Sequence, residues 1–157
     1  MPSHRAANGP TGPASADPAM VGRARDLLAR AHLLLDNADG VEDDAERFRQ
    51  LYLVALRASG AALAVHEPIG TTRRKTSNAW TRIGMVAPEL AQPAARFAAL
   101  SPVRMKIESG IIRTLDPDSV AGMRLLVLEF LRRVETMVIA YEQGKLGGQV
   151  PQIGRTA

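Results

Sequence analysis

The sequence predicts an all-α fold, a helical bundle of four to six helices, and three observations carry that reading. Apolar residues recur at intervals of three and four over long stretches, the period of a helix packed on one side. Aromatic residues make up only 4% of the chain while hydrophobic residues make up 46%, so the core must be built from Ala, Leu, Val and Met. No stretch of useful length alternates apolar and polar residues as a half-buried strand does. At 157 residues the chain suits one domain with a core of its own.

Residues 1–18 hold Pro2, Pro10, Pro13 and Pro18 among small polar residues. Such a segment buries too little to offset its ordering entropy, so it is expected to be a disordered tail. The segment 144–157 reads the same way, which leaves a helical domain over 19–143. Its first helix is expected over 19–37, from Met20, Ala24, Leu27, Leu28, Ala31, Leu34 and Leu35. Gly40 is the expected left-handed stop. Glu42, Asp43, Asp44 and Glu46 follow, at a place where a helix N-terminus favours negative charge. The second helix then runs to about Val65. Ala55, Ser59, Gly60 and Ala62 keep its surface small, so a neighbouring helix can approach closely and this helix is expected at the centre.

Residues 67–76 form a loop punctuated by Pro68 and Gly70. Thr76 or Ser77 is expected to cap a third helix carrying Trp80, Ile83 and Val86. Pro88 suits the first turn of a short fourth helix, Glu89 to about Leu100, with a kink expected at Pro93. Val103, Ile107, Ile111 and Ile112 allow a further helix bounded by Pro102 and Gly110. The last helix is the plainest. Asp116 caps it, Pro117 takes its first position and Asp118 adds first-turn charge. Val120, Met123, Val127, Phe130, Val134, Met137 and Tyr141 then repeat at three and four. Leu126, Leu131 and Val138 widen that face beyond a two-residue seam, as packing inside a bundle requires.

Composition excludes several chemistries. With no cysteine there is no disulfide, Cys-ligated zinc, iron–sulfur cluster or thiol nucleophile. Three histidines, His4, His32 and His66, and no paired Glu-x-x-His repeats make a metal site unexpected. No Gly-rich phosphate loop follows a strand, so no cofactor is expected. No apolar run approaches the roughly 20 residues of a membrane span, and no apolar leader opens the chain. A cytoplasmic protein without membrane contact is the expectation.

Charge is unevenly placed. Between 67 and 115 eight cations (Arg73, Arg74, Lys75, Arg82, Arg96, Arg104, Lys106, Arg113) face three acids, whereas 116–143 carries three arginines against five acids. Arg73, Arg74 and Lys75 form a basic run on a loop, with Arg82 just beyond. A basic cluster binds RNA or DNA largely by neutralising phosphates; its other reading is a solvated loop. Trp80 lies nearby, and its expected place is the core.

The stretch from Tyr52 to Glu135 resembles a small actinobacterial branch of the HEPN domains (higher eukaryote and prokaryote nucleotide-binding). The resemblance rests on LYLVALRASGAALAV at 51–65, RRK at 73–75, SNAWTRIGMVAPELAQPAARFAAL at 77–100 and FLRRVETMV at 130–138. It implies a helical bundle that often dimerises. In HEPN ribonucleases an Arg-x(4–6)-His motif late in the domain cuts RNA without metal across a dimer cleft, while other members have lost it and act as binding modules. Here the last helix contains no His. Arg25 and His32 match the spacing in the first helix instead; seven residues turn a helix through about 700°, placing both on nearly one face. The resemblance therefore implies a non-catalytic binding module, with a metal-independent ribonuclease using Arg25 and His32, or a purely protein-docking scaffold, as alternatives. Its expected partners are a second copy of the chain, RNA or DNA at the basic loop, and a protein. His66 is expected to meet the carbonyls ending the second helix, and Arg57 to pair with Glu129 or Glu135 or else to face a groove.

Overall fold

A computed structural model of the chain describes residues 16–67 and 78–144. These form five α-helices: α1 (Pro18–Asp39), α2 (Asp44–Ala64), α3 (Ala79–Val86), α4 (Ala91–Glu108) and α5 (Pro117–Glu142). A single 3-10 turn, Pro88–Leu90, leads into α4. No strand occurs among the described residues, so the all-α expectation holds. The segments 1–15, 68–77 and 145–157, and with them most of both expected tails, lie outside the described residues. Pro18, assigned to the N-terminal tail from sequence, instead takes the first position of α1 behind the Asp17 cap.

Short-range chemistry starts and stops these helices. Asp43 accepts a bond from the Glu46 backbone N–H at 2.8 Å, and Asp44 and Glu46 occupy the first turn of α2, as the acidic cluster implied. The Asp116 carboxylate accepts from the Asp118 N–H at 3.2 Å. The cap of α3 is Asn78, whose Oδ1 accepts from the Thr81 N–H at 2.9 Å, one position beyond the residues expected to cap it. Gly40 is not left-handed: its φ is −93° and its N–H bonds back to Asn37 and Ala38. Left-handed glycines are found instead after α5, at Gly144 with φ 77°, and after α4, at Gly110 with φ 82°. There the Ile111 N–H reaches the Lys106 carbonyl and the Gly110 N–H reaches Ile107, the paired bonds of a Schellman motif.

Two proline readings are corrected in α4. Pro93 causes no break, because the helix begins at Ala91 and Pro93 falls in its first turn, where backbone N–H groups have no partner in any case. Pro102 does not bound a helix; α4 runs through it to Glu108. Its missing N–H orphans the Ala98 carbonyl, and Ala98 and Pro102 are both exposed, so water can take the bond.

Helix α2 is the centre, in contact with α1, α3, α4 and α5. Ala55, Ala58, Ser59 and Ala62 are buried on it. Where α1 crosses, a Cβ on Gly60 would sit 3.3 Å from Leu27 Cδ1, so the small residue permits the approach. From α5, Val127, Phe130, Val134 and Met137 are buried in the shared core, as their spacing implied. Tyr52, Trp80, Phe97 and Phe130 are gathered at one place. Trp80 stacks on Phe97 at 5.0 Å, and Phe130 meets both edge-on.

Candidate functional site

Arg25 and His32 lie on one edge of α1, as seven-residue spacing requires. That edge faces α5, which runs back alongside. Arg25 is ion-paired with Glu142, and His32 Nε2 lies 2.5 Å from Glu135 Oε2. About two turns beyond His32, Arg124 closes a two-pronged pair on Asp39, at 2.8 and 2.9 Å. The Tyr141 hydroxyl accepts from the Asp17 backbone N–H at 2.9 Å and so ties the start of α1 to the end of α5. The edge is a ladder of two arginine–carboxylate pairs and one histidine–carboxylate hydrogen bond between two helices. Glu135 and Glu142 are spaced by seven, like Arg25 and His32. The matched spacing is legible in sequence, but pairing it needs the antiparallel register of α1 and α5.

Hydrogen bonds from arginines lower three carboxyls of the bundle. The Arg124 guanidinium holds the Asp39 carboxyl below the usual aspartate range, partly offset by burial. Bonds from Arg49 and then Gln50 lower Glu46 in the same way. Bonds from Arg132 and then Arg133 lower Glu129. Glu129 is thereby committed to its own helix and Glu135 to His32. Arg57, expected to pair with one of them, is exposed and makes no ion pair among the described residues.

Of the basic-loop residues, Arg73, Arg74 and Lys75 lie outside the described residues. Arg82 is described, and it is engaged: its Nη2 lies 2.8 Å from Glu67 Oε1, with both side chains largely covered. Glu67 and Arg82 flank the segment 68–77, so their pair fastens the end of α2 to α3. This anchoring role was not read from the sequence. His66 behaves as expected, with Nδ1–H directed at the Ala62 carbonyl at 2.8 Å in the last turn of α2. Trp80 is core and no stacking platform. It is buried, and its indole N–H donates to the Tyr52 hydroxyl at 2.8 Å.

No group of three or more His, Asp or Glu among the described residues is placed to hold a metal ion. No helix among them is long and apolar enough to cross a membrane. The family model of SAV_6107-like HEPN domains matches residues 38–135, from the last two residues of α1 to well inside α5. No curated protein and no solved structure matches the chain.

Proposed function

The chain belongs to the SAV_6107-like HEPN family, and from that membership we propose that it is a non-catalytic helical module that works by binding. The observation that carries this reading is the state of Arg25 and His32. They are the one Arg/His pair in the chain with the spacing of the HEPN nuclease motif, and both are engaged by glutamates of α5. A proton-transferring His must reach the group it serves, and this one faces a carboxylate of its own fold.

Nucleic acid is the first proposed partner, with Arg73, Arg74 and Lys75 as phosphate contacts. The uneven charge of the sequence supports it, with Arg82, paired to Glu67, as the fourth proposed contact. A protein partner or a second copy is the other reading, favoured by Met105 and Ile111, which stand exposed at the end of α4.

Labelled RNA incubated with the protein in EDTA separates these readings. Retention at low salt without cleavage is expected. Replacing Arg73, Arg74 and Lys75 by Ala should then reduce the slope of log K against log salt by about 0.7 per lost contact on single strands. EDTA-resistant cleavage that disappears in His32→Ala would overturn the non-catalytic reading. Absence of binding to any RNA or DNA would leave protein docking as the function.

A further inference from the structure

Helices α1 and α2 fold back on each other through residues 40–43, and Leu27 meets Gly60 where they cross. That contact fixes the register of the antiparallel pair. Arg30, three residues past Leu27, comes level with Arg57, three residues before Gly60. Arg23 comes level with Ala64, near Glu67, where the described chain stops just before the basic run. Arg23 and Arg30 are seven apart and share one edge of α1, about 200° round from Arg25 and His32, which face α5. Arg23, Arg30 and Arg57 are all exposed and make no ion pair among the described residues. Every Asp and Glu of the chain lies among the described residues, so no other part of the chain supplies them a side-chain carboxylate. The hairpin is electrically polarised. Its closed end, 34–53, carries Asp36, Asp39, Glu42, Asp43, Asp44 and Glu46 against Arg47 and Arg49. Its open end keeps the three unpaired arginines, with Asp26 as the one free acid beside them. Glu67 is taken by Arg82, and Asp17 by the cap of α1.

We infer that the open end of the α1–α2 hairpin is a second phosphate-binding surface, where Arg23, Arg30 and Arg57 neutralise phosphates of a nucleic-acid strand. The inference rests on the nucleic-acid reading above and adds residues to it that the basic run does not include. Like charges set level by two packed helices repel each other unless an anion stands between them. Exposed guanidiniums without carboxylates keep their donors and their charge for such an anion. Arg23 lies about 10 Å along α1 from Arg30, so the charges form a line, which suits a polyanion better than one small anion. The acidic closed end repels the same strand and confines it to the open end, on the side from which the basic run departs. Arg57, a lone charge in the apolar centre of α2, thereby gains a role that no acid of the bundle gives it.

Labelled oligouridine titrated into the full chain over a series of salt concentrations tests this surface. The triple variant Arg23→Gln, Arg30→Gln, Arg57→Gln should bind more weakly. Its slope of log K against log salt should be shallower by about 2, at roughly 0.7 per lost contact. The same three positions changed to Lys should keep the slope, because neutralising a phosphate needs the charge and not the guanidinium. Asp26→Asn removes the one free acid of this end and should tighten binding roughly twofold. Asp36→Asn makes the same charge change ten residues on, about 15 Å along α1. That is beyond the roughly 8 Å screening length of physiological salt, so there it should bind as the unaltered chain does. An unaltered slope in the glutamine variant, a lost slope in the lysine variant, or equal effects of Asp26→Asn and Asp36→Asn would overturn the second surface. The reading of the basic run, tested by its own alanine variant, would survive any of these. Absence of oligouridine binding by the unaltered chain at low salt would overturn that reading and this surface together.

Discussion

The Trp80 indole N–H donates to the Tyr52 hydroxyl at 2.8 Å, and that hydroxyl donates in turn to the Phe97 carbonyl at 2.9 Å. Three elements, α2, α3 and α4, are joined through one buried oxygen. The relay also explains why Tyr52 and Trp80 lie side by side: the polar tips of Tyr and Trp need partners when buried, and here the Tyr52 hydroxyl meets the indole N–H and a carbonyl together.

Tyr52→Phe removes that oxygen and strands both the indole N–H and the Phe97 carbonyl. Leaving a buried polar group unmet costs roughly 1–3 kcal/mol. Urea unfolding should show a loss in that range, with Trp80 emission altered in the folded state. Stability equal to that of the unaltered chain would show that the relay contributes nothing.

Phe130→Ala empties the meeting point of α5 with Trp80 and Phe97. Truncations of this kind cost about 3–5 kcal/mol, so a large drop in the unfolding midpoint is expected. A change well under 1 kcal/mol would contradict the core placement of this ring.

Asp39→Asn tests the α1–α5 ladder. Arg124 lowers the Asp39 carboxyl below its ordinary value in the folded chain. The pair therefore stabilises above the unfolded aspartate range, near about 4, and that contribution is lost as pH falls below it. Both side chains are 41% exposed, so solvent screening keeps the effect within about 1 kcal/mol. The gap between the unaltered chain and Asp39→Asn should be measurable at neutral pH and low salt. It should close in strong acid and shrink at high salt.

Gly110→Ala probes the end of α4. Nothing lies within 4 Å of a Cβ built there, but φ is 82°. The cost is then purely conformational, about 1–2 kcal/mol for an L-residue in the left-handed region. Gly122→Ala, on α5 with open space around it, should instead be neutral or stabilising by up to about 1 kcal/mol. Equal effects at the two positions would remove the distinction drawn from backbone conformation.

Helix positions were legible wherever local signals agreed. Asp116, Pro117 and the unbroken apolar series to Tyr141 placed α5, and Asp43 and its neighbours placed the start of α2, because caps and periodicity act over a few residues. The same local reasoning misjudged α4. Pro93 and Pro102 look alike as breakers in one dimension, yet one sits in a first turn and the other on an exposed face where water can meet the orphaned carbonyl.

The sequence by itself determined the helical class, the face that each long helix buries, the family resemblance and the uneven charge. Only the tertiary structure decided which charges are engaged. His32 meets Glu135, 103 residues away, Arg82 meets Glu67, and Arg57 meets none of the acids expected for it. The physical reason is one of range. Helical periodicity is set by spacing along the chain, whereas an ion pair between helices depends on their register, which the buried core of α2 imposes from a distance.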